Sequence, residues 1–279
     1  MASALSDIKR RIGSTAQIRK VTSTLQRVAA AKLAQDQRRL ANANHYFLLL
    51  CHLLEMARRA LPANAQPHPL MKAAPAGSPA ALLVFGSDRG LCGSFNTLLM
   101  KSVADFLKDR AGQTVQVLFR GRVTYNRAMR LQMSPIEFAG ETEDLGERVT
   151  SAFTAGQFGE VHVMHWDFIS PLRQEIVVRQ VLPATADAPA KGTTIPDRYR
   201  IEPSPQALVD SLLPEYIRRS IYNAVHKSAA SENAQRQASM SRASENAGEM
   251  LRQLRKQYSR LRQESITTEM LEIIAGMNR

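Results

Sequence analysis

Apolar residues near both ends of the chain recur every three or four positions, whereas in the middle they gather into short runs. The first spacing is that of a helix with one buried stripe, and the second is that of strands alternating with short helices. The N-terminal series is Leu5-Ile8-Ile12, then Ile18-Val21-Leu25-Val28, with a slip of register between Ile12 and Ile18. Ser6 and Asp7 are candidate capping residues near its start. No Gly or Pro interrupts the stretch from Ser14 to Leu61, and only Gly248 interrupts Glu215 to Ala275. Uncapped helical patterns much beyond about 25 residues suggest coiled coils, membrane spans or helical repeats. In the last helix the stripe Ala247-Leu251-Leu254-Tyr258-Leu261-Ser265 alternates spacings of four and three, as coiled coils do. Upstream of it, Ala and Ser are frequent and would let a partner helix approach closely.

The middle predicts strands at Ala80–Phe85, Thr114–Phe119, Val161–Phe168 and Glu175–Leu182. Between them lie helical patterns at Phe95–Leu107, about Val123–Leu131, and Leu145–Phe158. Such alternation implies a mostly parallel, helix-covered sheet, with the last two strands as candidate neighbours. Pro-rich segments at 62–79 and 184–205 read as linkers. The expected fold is therefore an α/β domain, Rossmann-like and spanning 80–183, inserted between two long terminal helices that pair as an antiparallel coiled coil. Residues 1–61 and 206–279 would form that discontinuous shaft. A shaft with a domain at one end suggests mechanics or assembly before catalysis.

Charge sharpens this picture. The net charge is +12, and its excess lies on the helices: residues 1–60 hold eleven Lys and Arg against three Asp and Glu. A basic helical surface seeks nucleic acid, anionic lipid or acidic protein. Lys9, Arg10, Arg11, Arg19, Lys20, Arg27 and Lys32 could follow a phosphate backbone, but residues 1–45 offer no aromatic ring for base stacking and no recognisable nucleic-acid module. A solvated or protein-facing helix is the stronger reading. The run Tyr46–Leu54 is too short to span a bilayer and is expected to be buried against another element. The two cysteines, Cys51 and Cys92, form no C-x-x-C pair and indicate a reducing compartment.

Candidate chemistry is sparse. Gly86-Ser87-Asp88-Arg89-Gly90-Leu91-Cys92-Gly93 follows a strand and opens a helix, where backbone N–H groups could meet a phosphate. Its spacing fits neither the dinucleotide fingerprint nor the P-loop. A tight turn is the better expectation, with Asp88 capping or pairing with Arg89. His162 and His165, three apart on a strand, fall on opposite faces and cannot share a metal. Cys51 and His52, adjacent on a helix, do not face each other. No catalytic set, cofactor site or metal site is nominated.

The residues do carry a resemblance. Ile8-Lys9-Arg10-Arg11-Ile12, Lys20-Val21-Thr22 and Val28-Ala29-Ala30-Ala31-Lys32-Leu33 open it. Ser87-Asp88-Arg89-Gly90-Leu91-Cys92-Gly93 with Asn96, then Tyr199 and Ile201-Glu202-Pro203, continue it. Ser231-Glu232, Arg236, Met240, Ala243 and Asn246 follow, and Arg262-Gln263-Glu264-Ser265-Ile266-Thr267-Thr268-Glu269 with Glu272 and Gly276 close it. Over nearly its whole length the chain resembles the gamma subunit of F-type ATP synthases, the central rotor stalk. It departs at Thr24-Leu25-Gln26-Arg27, where the family usually has Ala-Met-Glu-Met, and also at Gln237 and Met277.

The resemblance implies a non-catalytic subunit of the complex, without a cofactor, that couples ion flow through the membrane ring to ATP synthesis or hydrolysis at the beta subunits. It leaves the coupling ion open between proton and sodium. Its partners would be three alpha and three beta subunits, the epsilon subunit and the membrane c-ring, with no nucleic acid and no small-molecule substrate of its own. It implies beta-subunit contacts at Arg10, Lys20, Lys32, Arg236, Arg262, Gln263, Thr267, Glu269 and Glu272, and membrane-ring contacts at Tyr199 and Glu202. The expected location is peripheral, on the cytoplasmic face of a bacterial plasma membrane.

Overall fold

The computed structural model describes residues 2–62, 64–72, 74, 75, 77–138, 140, 142–184 and 201–277. The chain divides into two compact units, one of Met1–Ala31 with Arg236–Arg279 and one of Lys32–Gln235.

The larger unit is built on a five-stranded sheet in the order β3-β2-β1-β4-β5. Its strands are β1 (Ala80–Phe85), β2 (Val115–Arg120), β3 (Ile136–Glu137), β4 (Glu160–Phe168) and β5 (Gln174–Leu182). The first four run parallel, and β5 returns antiparallel to β4 as the neighbour expected from its sequence. Helices α2 (Phe95–Asp109), α3 (Arg122–Arg130) and α4 (Thr142–Thr154) connect the parallel strands. Every residue of β1 is buried, because both faces of this central strand are covered. Leu82 and Val84 pack with Phe95, Leu99 and Val103 of α2. Ala81, Leu83 and Phe85 pack with Leu145 and Val149 of α4 and with residues of the two long helices. The short β3 was not legible in the sequence: two residues directly after Pro135 carry no periodicity.

The long helices are α1 (Ala2–Arg59, 58 residues) and α5 (Pro205–Met277, 73 residues). Ser204 caps α5 by accepting from the N–H of Ala207 at 3.2 Å, and Pro205 takes the first helical position, where its missing N–H is not needed. Pro214 lies inside the helix rather than before it. At the other end of the chain α1 is already helical at Ala2, so Ser6 and Asp7 do not cap it. Asp7 instead pairs with Arg10 one turn on, at 2.7 Å.

In the larger unit α1 and α5 pack antiparallel. Phe47 stacks on Tyr216 at 5.6 Å between ring centroids, and Leu33 meets Ala230 and Ala234. Leu50, Cys51, Leu54 and Ala57 of α1 are buried, as are Val209, Leu213, Ile217 and Ile221 of α5. The greasy run Tyr46–Leu54 is therefore only partly buried. Helical periodicity turns Leu50, Cys51 and Leu54 inward and leaves Tyr46, Leu48 and Leu49 about half exposed.

The smaller unit pairs the start of α1 with the end of α5, again antiparallel. Gln26 donates to Ser241 at 3.3 Å, Thr15 lies 3.8 Å from the Met250 sulfur, and Arg19 lies beside Gly248. Ala247, Leu251 and Leu254 are buried and Tyr258, Leu261 and Ser265 half-buried, so the stripe read from the last helix is the seam. On α1 the seam differs from the sequence reading. Leu5, Ile8, Ile12 and Leu25 are half-buried as that reading expects, but Thr15, Thr22, Gln26 and Ala29 take the other buried or half-buried positions. Polar side chains occupy positions where apolar ones were sought, and Ile18, Val21 and Val28 stay 48–56% exposed. Gln26, one of the departures from the family pattern, is thus a hydrogen-bonded seam residue.

Candidate functional site

The loop after β1 is closed on itself. The Ser87 hydroxyl and the Asn96 amide lie 2.7–3.0 Å apart, and the Ser87 N–H reaches Asn96 Oδ1 at 3.4 Å. Cys92 is buried 3.5 Å from the Asn96 amide nitrogen. Asp88 caps a later helix rather than the one its own loop opens. Its Oδ1 accepts from the N–H of Arg122 at the start of α3, 34 residues on. The Ser87 carbonyl accepts from Val123, and Gly86 donates to the Arg120 carbonyl. The β1 loop and the β2–α3 turn are so close that a Cβ on Gly121, which has φ +122°, would stand 2.6 Å from the Gly86 carbonyl carbon. The motif is a tight turn, as its spacing suggested.

In an open α/β sheet, ligands bind beyond the C-terminal ends of the strands where the winding reverses. Here the reversal lies between β1 and β4. That crevice is filled by the long helices. Ser228 of α5 donates to the Phe85 carbonyl at the end of β1, 2.7 Å away, and Phe168 at the end of β4 packs on Leu33, Ala230 and Ala234. His162 and His165 fall on opposite faces of β4, His162 against Phe106 of α2 and His165 toward α5. Among the described residues no group of three His, Cys, Asp or Glu could hold a metal ion. Burial pushes the Cys51 thiol up to about 11, so it is a packing residue rather than a nucleophile.

What the helices present outward is different. Lys20, Lys32, Arg262, Gln263, Thr267 and Glu269 are exposed, and Arg236 is half-buried. Lys20, Lys32 and Arg262 make no ion pair among the described residues, whereas Arg10 is held by Asp7 and Glu269 accepts from Ser265 at 3.1 Å. The Thr267 hydroxyl bonds back to the Gln263 carbonyl. Glu272 belongs to α5, Glu202 is exposed just before that helix, and Tyr199 lies outside the described residues. Arg10, Lys20, Arg236, Arg262, Gln263 and Thr267 all belong to the smaller unit, but Lys32 opens the larger one.

Two apolar features were missed in the sequence. Ile18, Val21 and Val28 form an outward stripe on α1, and Ile266, Met270, Leu271, Ile273 and Ile274 are 45–63% exposed at the end of α5. On α1 the signal becomes visible once Thr15, Thr22 and Gln26 are placed in the seam; on α5 it is the apolar run after Ser265, where the seam read from spacing ends. Contiguous exposed apolar surface beside unpaired cations marks an interaction site.

An α/β domain inserted between two long paired helices, its ligand crevice closed and its helices apolar and basic outside, defines an assembly protein. A family model described as ATP synthase matches residues 4–278. The ATP synthase gamma chains of Geotalea uraniireducens (strain Rf4) and Anaeromyxobacter sp. (strain K) are 34% and 35% identical to this chain. Each alignment covers 98% of this chain, and 97% and 98% of the respective relative. The fold is also that of a chain in the rotor of the Euglena gracilis mitochondrial ATP synthase, with TM-score 0.63 and 15% identity over 95% of this chain and 100% of that one. A chain from the Tetrahymena thermophila central stalk and c-ring matches with TM-score 0.60 and 18% identity, over 80% of this chain and 99% of the other. The chain belongs to the gamma subunit family of F-type ATP synthases.

Proposed function

We propose that this chain is the central-stalk rotor of an F-type ATP synthase, coupling ion flow through the membrane ring to ATP synthesis or hydrolysis on the beta subunits by rotation. It performs no chemistry itself. The observation that carries this reading is the outer surface of the paired helices, where apolar side chains alternate with unpaired Lys and Arg. A shaft turning inside three alpha and three beta subunits needs contacts that are numerous and individually weak. Exposed ion pairs contribute about 0–1 kcal/mol each, so no single one arrests the turn. The chain is asymmetric, so each of three equivalent beta subunits would meet a different face. Such differential contact biases each toward a different state.

The α/β domain, with Tyr199 and Glu202 near the start of α5, would face the c-ring and the epsilon subunit. Among the described residues no helix is long and apolar enough to cross a membrane. The proposed location is peripheral, on the cytoplasmic face of a bacterial plasma membrane, reached through partner subunits. Arg262 and Gln263 are the proposed contacts to the beta subunits nearest the end of the shaft, joined by Thr267, Glu269 and Glu272. Arg10, Lys20, Lys32 and Arg236 would serve lower down.

The test is co-expression of this chain with the alpha and beta subunits of the same organism, followed by size exclusion and an ATPase assay. The wild-type chain is expected in a complex with six large subunits. The Arg262→Ala, Gln263→Ala double variant is expected to lose assembly or coupling. Wild-type assembly, rotation and synthesis in that double variant would remove these residues from the mechanism. Elution of the wild-type chain alone at both low and high salt would remove the rotor reading itself.

A further inference from the structure

The larger unit contains a cavity of about 120 Å³ bordered by α1, β4, β5 and α5 and open at the Asn44, Arg179 and Gln180 rim, on the sheet face opposite α2 and α3. That is room for several waters, since roughly 10–15 Å³ of such space holds one, and it also admits a small polyatomic ion. Its lining is unusually polar for the middle of a fold. Arg179 and Lys227 border it, and among the described residues one carboxylate, Asp167, pairs with these two cations, at 3.9 and 2.8 Å. The local charge is therefore positive. Asn223 also lines the cavity, is buried, and makes no hydrogen bond among the described residues. A buried amide left in that state is costly unless something in the cavity answers it.

His165 adds a directional constraint. It is buried, and its Nδ1 lies 3.1 Å from the Trp166 carbonyl. A carbonyl only accepts, so Nδ1 carries the proton. The neutral ring then offers Nε2 as a bare acceptor, and burial holds it neutral by pushing its pKa down to about 4. The stacked rings of Phe47 and Tyr216 form an apolar wall. The lining thus supplies an excess positive charge, an amide with no protein partner among the described residues and one acceptor lone pair, all facing the cavity.

We propose that this cavity is a binding site for a small oxyanion that carries its own hydroxyl group, with hydrogenphosphate as the simplest member of the class. Arg179, Lys227 and the Asn223 amide take the anionic oxygens, and His165 Nε2 accepts from the hydroxyl. Sulfate has the same shape and charge but no proton at neutral pH, so it leaves the histidine unanswered. The bound ion would join α1, the β4–β5 pair and α5 without taking part in the proposed rotation, and the site stands independently of that reading.

The experiment is thermal unfolding of the full chain at constant ionic strength, titrated with inorganic phosphate or with sulfate. Phosphate is expected to raise the midpoint saturably, by a few degrees (~4 °C) at high occupancy. Sulfate is expected to give less than a third of that rise. Arg179→Gln, at the rim of the cavity, is expected to weaken the phosphate effect about tenfold, and Asn223→Leu to abolish it by filling the space. If the Leu variant does not fold, protection of Tyr216–Lys227 from hydrogen exchange by phosphate in the wild-type chain replaces it. Equal shifts with phosphate and sulfate, a phosphate shift unchanged by Arg179→Gln, or no shift at all would each overturn the proposal and leave a water-filled cavity.

Discussion

The amide of Asn233 on α5 donates to the carboxylate of Asp36 on α1 at 2.8 Å, with both residues buried between the two helices. The pair sits beside Leu33, Ala230 and Ala234, where an apolar layer would be the default. A buried polar pair of this kind fixes which turn of one helix meets which turn of the other. Removing one partner should therefore be worse than removing both. Asp36→Ala is expected to cost about 1–3 kcal/mol, because the Asn233 amide loses its acceptor in a dry place. Asp36→Leu with Asn233→Leu should recover most of that loss, read by urea unfolding of the full chain.

The approach of Gly121 to Gly86 makes a second expectation. Gly121→Ala adds a Cβ 2.6 Å from the Gly86 carbonyl carbon at a φ of +122°, where an L side chain is already strained. Backbone has to move, at a cost of about 2–4 kcal/mol. Gly90→Ala, a few residues along the same loop, meets nothing within 4 Å and should lie within about 0.5 kcal/mol of the wild type. Equal midpoints for the two variants would contradict this geometry.

Stability should also depend on acid through His165. The ring is neutral when folded, with a pKa near 4 against 6.5 for the free side chain. Below 6.5 the unfolded chain binds the proton and the folded chain does not. Its contribution is thus complete above pH 6.5 and falls as the pH drops toward 4, by up to roughly 3 kcal/mol. Glu55 extends the acid limb below the His165 window: hydrogen bonds from Arg58 and Arg59 hold its carboxyl below the ordinary carboxylate range despite its burial, so its contribution is present above that range and is lost only as the pH falls below it. Equilibrium unfolding between pH 4 and 7 should show a shallower slope for His165→Gln than for the wild-type chain.

The outward stripe on α1 separates folding from assembly. Ile18 and Val21 are 56% and 51% exposed, so Ile18→Ser with Val21→Ser should change stability by less than about 1 kcal/mol. If these side chains meet the surrounding ring, the same double variant should lose co-elution with the alpha and beta subunits. A variant that is destabilised yet assembles normally would mean that the stripe packs within this chain.

Much of this was legible in the residues. The runs AALLVF and VHVMHW are apolar enough to be central strands by themselves, and Ala247-Leu251-Leu254 sets the α5 seam by spacing alone. What could not be read depends on distant partners. Asp88 caps a helix that begins 34 residues later, and Ser228 answers a carbonyl 143 residues away. The α1 seam was misread because Thr15, Thr22 and Gln26 are polar on their own and acceptable only against Met250, Ser241 and their neighbours. Once the seam was shifted by one position to Ile18 and Val21, the outward surface was hidden as core.

The hydrogen bond from Ser228 to Phe85 has a consequence for how load is carried. A helix held to a sheet by grease alone can slide by a turn at little expense, because one leucine replaces another. Here a hydroxyl is inserted into the mouth of the central strand, and its carbonyl has one matching position along the helix. The helix is keyed to the domain like a shaft to a hub, so a twist delivered to either is delivered to both.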